Sequence, residues 1–277
     1  MNIPALFRHS PRQCDVPMGS WQDPQPVAWD RAPGEPSIAQ GEVHVWAGWL
    51  RADEAQLEAC RCTISESESA RAARFFGPRD RDRYVAGRGA LREILSRYTG
   101  ISAREISLWV DRWGKPALAS EVNSPPVQFS IGHSGDLLLV AVTVHGQVGV
   151  DVERMDQTLD WIPVAEAILS RTERIALREV PAVHRRSAFY SLWTQWEALS
   201  KAIGCGLSLP RATVVPVQAG GNLTGRQDNL WEGPEGGLWR TQIFTPLRGY
   251  AAALAVRSHS APVMKFYLGA RPAWGVS

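Results

Sequence analysis

The chain has 277 residues, 44% of them hydrophobic, which is enough apolar material for a well-buried core in one large domain or two small ones. A net charge of only +2 excludes a long-range pull towards nucleic acid or membrane, so any anionic ligand has to be held by a local basic cluster. No stretch is apolar enough for a signal peptide or a membrane span, and Cys14, Cys60, Cys62 and Cys205 form no CxxC pair, which argues against zinc and for free thiols in a reducing, cytoplasmic setting.

Residues 1 to 41 hold seven of the nineteen prolines without sustained periodicity and read as an extended arm with no assigned function. Residues 42 to 50 alternate apolar and aromatic side chains, which predicts the first strand, and a short helix follows. A helical pattern over residues 65 to 98 is broken at Gly77-Pro78, giving helices at 65 to 76 and 79 to 98 with Gly100 as the stop. The second helix is rich in arginine. Arg83 stands one turn before Gly87, a position without side-chain bulk where a phosphate could approach closely, although such helices usually face solvent. A short strand at 106 to 110 leads into the turn Gly114-Lys115-Pro116. Residues 127 to 143 then read as strand, polar turn, strand. The turn Gly132-His133-Ser134-Gly135 lacks the order of a nucleophile elbow, so hydrolase chemistry is not favoured.

His145-Gly146-Gln147 predicts a hairpin between residues 137 to 144 and 148 to 153. Its second strand is Gly149-Val150-Asp151-Val152-Glu153, whose two acids, two residues apart, project from one face. Helices are predicted at 161 to 170, at 171 to 179 behind a Ser170/Glu173 capping box, and at 185 to 203. In the last, Phe189, Leu192, Trp193, Trp196, Leu199 and Ile203 form the buried stripe, and Glu197 and Lys201 share a face at its margin. Three acids beside an ammonium suit Mg2+ carrying phosphate oxygens. Read singly, each piece is also the pattern of a solvated strand edge or a surface ion pair. Short strands at 213 to 217, 238 to 244 and 250 to 256 complete the outline.

The order of the letters adds specificity. The strand GVDVE and the run WTQWEALSKAIGCGL, from Trp193 to Leu207, resemble the two hallmarks of the Sfp-type phosphopantetheinyl transferases: G-V/I-D-V/I-E, and W-S/T-x-K-E-A/S-x-x-K-x-x-G-x-G-L. The resemblance covers roughly residues 42 to 258. It implies an α+β fold of two similar α/β subdomains in a pseudo-two-fold arrangement, with the active site at their interface. Residues 42–146 would form the coenzyme A phosphate and adenine side, and residues 147–258 the Mg2+ site and catalytic helix. The Pro-rich arm 1–41 and a tail 259–277 lie outside it. Carried over residue by residue, Asp151, Glu153 and Glu197 become metal ligands, Glu197 the acceptor of a proton, and Lys201 a second positive contact on phosphate. Arg83 matches the arginine that binds the 3′-phosphate of coenzyme A, with Arg74 and Arg88 as weaker candidates. His133 matches a phosphate-binding histidine, and Lys115 and Pro116 the edge of the adenine and phosphate pocket.

The activity implied is transfer of the 4′-phosphopantetheine arm of coenzyme A to a serine of an apo acyl or peptidyl carrier protein, releasing adenosine 3′,5′-bisphosphate. Mg2+, with Mn2+ as a substitute, is the implied cofactor and coenzyme A the co-substrate. The carrier would belong to fatty acid, polyketide or nonribosomal peptide biosynthesis. A cytoplasmic monomer without nucleic-acid or membrane partners is expected. Two positions depart from the pattern: Gly132 replaces a common serine, and Trp196 replaces the lysine before Glu197. The second raises a rival reading, a degenerate relative that binds coenzyme A or a carrier without turnover. A different Mg2+-dependent phosphotransferase lacks support, since no Walker-type glycine-rich motif occurs.

Overall fold

The computed structural model describes residue 21 and residues 23–119, 126–205, 213–217, 228–258 and 260–269. Gly206 and Leu207, which close the second motif, lie outside the described residues, as do residues 1–20. In chain order come strands β1 (Asp30–Arg31) and β2 (Glu42–Trp49) and helices α1 (Glu54–Thr63), α2 (Glu66–Ala72) and α3 (Pro78–Thr99). Strands β3 (Leu108–Val110), β4 (Pro116–Leu118), β5 (Gln128–Ser134), β6 (Leu137–Thr143) and β7 (Val148–Arg154) follow. Then come helices α4 (Trp161–Ile168), α5 (Arg171–Glu179) and α6 (Arg185–Ile203), and strands β8 (Val215–Pro216), β9 (Asp228–Glu232), β10 (Leu238–Phe244), β11 (Tyr250–Arg257) and β12 (Val263–Leu268).

The strands assemble into one five-stranded sheet in the order β1-β12-β2-β6-β5, a second in the order β7-β11-β10-β9-β8, and the small ribbon β3-β4. Local chemistry fixes the long helices. Pro78 occupies the first turn of α3, where its missing N–H costs nothing, and Gly100 ends the helix at φ +68. Gly204 ends α6 in the same way at φ +83. Helices α1 to α3 bury Leu57, Leu91 and Leu95 against Trp46, Leu138 and Val140 of the first sheet. Helix α6 buries Leu192, Ala198 and Leu199 against Trp239, Ala253 and Ala255 of the second. The remaining faces of the two sheets meet each other, with Val45, Leu137 and Leu139 opposite Val150, Val152 and Leu254. The layers therefore run helix, sheet, sheet, helix. No described helix is long and apolar enough to cross a membrane.

The expected hairpin between β6 and β7 does not form. Both edges of β6 are taken, by β2 and by β5. The turn at Gly146, φ +85, instead carries the chain into the second sheet, where β7 runs antiparallel to β11 with Asp151 opposite Ala253 and Glu153 opposite Ala251. A tight turn between two apolar runs reads the same whether the strands join edge to edge or stack face to face, and here Val148, Val150 and Val152 pack face to face on the first sheet.

Both ends of the described chain return to the first sheet. Strand β12, not anticipated from the sequence, pairs in parallel with β2, and β1 pairs in parallel with β12. The arm also reaches the second sheet: Trp21 is buried among Leu169, Leu177, Phe189 and Trp196, and the Val27 N–H donates to the Thr245 carbonyl at 2.9 Å.

Candidate functional site

The site forms where the free edge of each sheet meets the other. β5 ends the first sheet and β7 the second, and no backbone ladder joins them. Side chains do so instead. The Ser130 hydroxyl accepts from the Val150 N–H at 3.1 Å, and the Ser134 hydroxyl from the Arg154 N–H at 3.0 Å. Gly132, between the serines, is needed for this approach: a Cβ there would lie 2.9 Å from the Val150 carbonyl oxygen and 3.1 Å from the Asp151 Cα. Its departure from the family pattern is thus tied to how closely the two sheet edges lie.

Helix α6 comes as close to β7 from the other side. A Cβ on Gly149 would overlap the Ala198 carbonyl oxygen and stand 2.6 Å from the Ala202 nitrogen, so backbone rests on backbone at the first residue of the GVDVE strand. This contact puts the α6 side chains Glu197 and Lys201 beside the acids of β7. Lys201 donates from Nζ to Asp151 Oδ1 at 2.7 Å, to the Val150 carbonyl at 3.2 Å and to the Ile131 carbonyl at 3.4 Å, binding the edges of both sheets.

The acids are held at a cost. Asp151 is 5% exposed, and burial raises its pKa against the pull of Lys201; its Oδ2 has no hydrogen-bond partner. Burial also raises Glu153, whose Oε2 accepts from the Ser134 hydroxyl at 2.6 Å. Glu197 is pushed up to about 7 by burial and then by the negative charge of Asp151, with Glu153 adding to it. The acid triad and Lys201 expected from the two motifs are therefore neighbours whose charges act on one another. Among the described residues, no group of three or more His, Cys, Asp and Glu side chains is gathered closely enough to hold a metal ion by itself.

The basic candidates divide into two groups. Arg83 donates from Nε and Nη2 to Asp136 Oδ1 at 2.9 and 2.6 Å, while Arg51 and Arg79 approach Asp136 Oδ2 at 3.3 and 3.5 Å. Three guanidiniums around one carboxylate leave a net positive spot. His133, at the surface, lies between this spot and the acids; partial desolvation of the ring, with the Lys201 and Arg83 cations, lowers its pKa. Lys115 turns inward and donates to the Lys201 carbonyl at 2.7 Å and the Val148 carbonyl at 3.2 Å, and burial brings its pKa down to about 8. It braces the β3-β4 ribbon against β7 and α6, and with Pro116 it lines a groove beside Leu118, Val127 and Phe129. Arg88 instead approaches Glu68 at 3.7 Å, and Arg74 is exposed beside Phe75; neither joins the cluster.

Sequence reasoning overlooked Ser134 and Asp136. Both flank the singled-out His133, but their partners lie on β7 and α3, which nothing local in the sequence reveals. Trp196, the other departure, is 8% exposed and belongs to the core of the second half. On the open side of Glu153, a cavity is walled by Leu159, Val164, Phe189, Tyr190 and Trp193.

Comparison with known proteins agrees with this geometry. Residues 147–255 match the model of the 4′-phosphopantetheinyl transferase superfamily, and residues 47–145 that of the 4′-phosphopantetheinyl transferase N-terminal family. The chain is similar to the 4′-phosphopantetheinyl transferase HetI of a Nostoc species, at 34% identity over 65% of this chain and 76% of the relative. It is 30% identical to a putative 4′-phosphopantetheinyl transferase of a Synechocystis species, over 61% of this chain and 68% of the relative. It is 28% identical to the 4′-phosphopantetheinyl transferase Sfp of Bacillus subtilis, over 53% of this chain and 63% of that protein.

Proposed function

Because the chain belongs to the 4′-phosphopantetheinyl transferase superfamily, we propose that it moves the phosphopantetheine arm of coenzyme A onto a serine hydroxyl of an apo acyl or peptidyl carrier protein. In this reaction the serine oxygen bonds to the pantetheine-bearing phosphorus, the bond from that phosphorus to the bridging oxygen breaks, and adenosine 3′,5′-bisphosphate leaves. The observation that carries the reading is the meeting of buried Asp151 with half-buried Glu153, Glu197 and Lys201 at the junction of the sheets.

The residues present fit Mg2+. Asp151 Oδ2 is buried and lacks a partner, and three neighbouring acids outnumber the single ammonium beside them. A closed protein cage is not required, because this ion takes one or two carboxylates and completes its shell with water and substrate phosphate. Asp151, Glu153 and Glu197 would hold the ion, or Mn2+ in its place, and when bound it would neutralise charge on the pyrophosphate. Lys201 supplies a fixed positive charge at the same place. Glu197, beside these acids at the margin of the helix, would accept the serine proton. Arg83, backed by Asp136, and His133 form the anion site for the 3′-phosphate. Lys115 and Pro116 shape the rim of the nucleotide groove. The presence of all three acids and Lys201 supports turnover over mere binding, while Trp196 belongs to the hydrophobic core of the second half.

We read the protein as a cytoplasmic monomer, because its two halves supply the two walls of one site. Mass spectrometry of several apo carrier types incubated with the protein, coenzyme A and Mg2+ tests the function. The expected result is one added phosphopantetheine on at least one carrier; no added mass on fatty acid, polyketide and nonribosomal peptide carriers alike would overturn it.

A further inference from the structure

Glu153 has three rotatable side-chain bonds, and holding it in one orientation requires a partner. The Trp193 side chain is one partner and Ser134 the other. Its hydroxyl oxygen accepts from the Arg154 N–H at 3.0 Å and donates its one proton to Glu153 Oε2 at 2.6 Å. Ser130, four residues earlier on β5, accepts from the Val150 N–H at 3.1 Å. Both serines splice β5 to β7 through a backbone amide, and Ser134 additionally grips a carboxylate.

We propose that Ser134 is a positioning residue for the metal site: it fixes Oε2 of Glu153 and leaves Oε1 as the oxygen outside that hydrogen bond. The inference rests on reading Glu153 as a metal ligand, and Ser130 provides a control for simple strand splicing.

The test compares the parent protein with Ser134→Ala, Ser134→Thr and Ser130→Ala. Mn2+ binding is followed by electron paramagnetic resonance, kcat and KM for coenzyme A by transfer to a carrier, and folding by thermal melting. Loss of a hydrogen bond that orients a metal ligand typically weakens metal binding about 10- to 100-fold, and that is the expected effect of Ser134→Ala, with kcat lowered and KM for coenzyme A unchanged. Ser134→Thr, which keeps the hydroxyl, should restore Mn2+ affinity. Ser130→Ala should lower the melting temperature but bind Mn2+ as the parent does. The proposal is overturned if Ser134→Ala binds Mn2+ like the parent, if both alanine variants weaken Mn2+ equally, or if threonine fails to restore it. If the parent transfers no phosphopantetheine but Mn2+ affinity still depends on Ser134, the proposed function falls and the positioning role stands. If transfer is normal and Ser134→Ala leaves Mn2+ binding intact, the reverse holds.

Discussion

The two long helices do opposite things with charge. Helix α6 is buried on most of its surface and touches β7 through bare backbone at Gly149, so Glu197 and Lys201 are placed to within a fraction of a side chain. Helix α3 buries its middle but leaves Arg79 and Arg83 at its exposed N-terminal end, held by ion pairs to Asp136. One half of the site is therefore positioned by the packing of main chain, and the other by pairs of flexible side chains. The acid half should be intolerant of change and the basic half graded.

The most severe way to break the contrast is Gly149→Ala. A methyl group there would overlap the Ala198 carbonyl, and overpacking of this kind costs about 1–3 kcal/mol or more. Thermal melting should show a large drop and transfer should be lost. Gly204→Ala, with open space around it but φ +83, should cost only the left-handed strain of about 1–2 kcal/mol. Equal losses in the two variants would contradict the backbone contact as the organising feature.

Within the acid half, Glu197→Gln keeps the shape and removes the charge. Electrostatic groups of this kind are typically worth about a hundred- to a thousand-fold in rate, so kcat should fall by that much while the melting temperature holds or rises. Near-parental kcat would remove Glu197 from the mechanism.

In the basic half, Arg83→Ala should act on discrimination. A hydrogen bond to a charged group contributes about 1.5–3 kcal/mol, so the preference for coenzyme A over dephospho-coenzyme A should shrink by about one to two orders of magnitude. Calorimetric titration of both nucleotides measures it, and an unchanged ratio would rule out Arg83 as the 3′-phosphate ligand. Arg51 and Arg79 still face Asp136 in the variant, so its stability should hardly move.

The gentlest probe is pH. The fold raises Glu197 from 4.5 to about 7, which means that it favours the neutral acid. Metal-free protein should therefore be most stable below about pH 4.5 with respect to this group, and lose that contribution as pH rises through 7. Asp151 and Glu153, raised in the same direction, add to the slope. His44 and His133, both lowered, act in the opposite sense, so the readout is the difference: the melting temperature of Glu197→Gln relative to the parent should rise with pH across this window.

How much of this was legible depended on the range of the signal. Helix α6 was read to the residue, because apolar periodicity is a local signal, and Glu197 and Lys201 lie half-buried at its margin. The alternation in Gly149 to Glu153 correctly paired the acids, but the partner of their strand was misread, since sheet membership depends on which edges remain free. Strand β12 was missed because its partner β2 lies more than two hundred residues away and its own run is short. Lys115 was noticed for its turn, yet its contacts with the Lys201 and Val148 carbonyls follow only from the packing of the ribbon.

The late arrival of β12 has a consequence for how the chain is made. During synthesis, β2, β6 and β5 can pair long before residue 263 emerges, and the outer edge of β2, an apolar run of Val43, Val45 and Ala47 on one side and Trp46 on the other, then waits with its backbone groups unpaired. The second sheet is already complete at Arg257. The first half is thus the last to close, and a ribosome stalled between the two events, or a chain ending at residue 258, would present an open strand edge of the kind that recruits other chains.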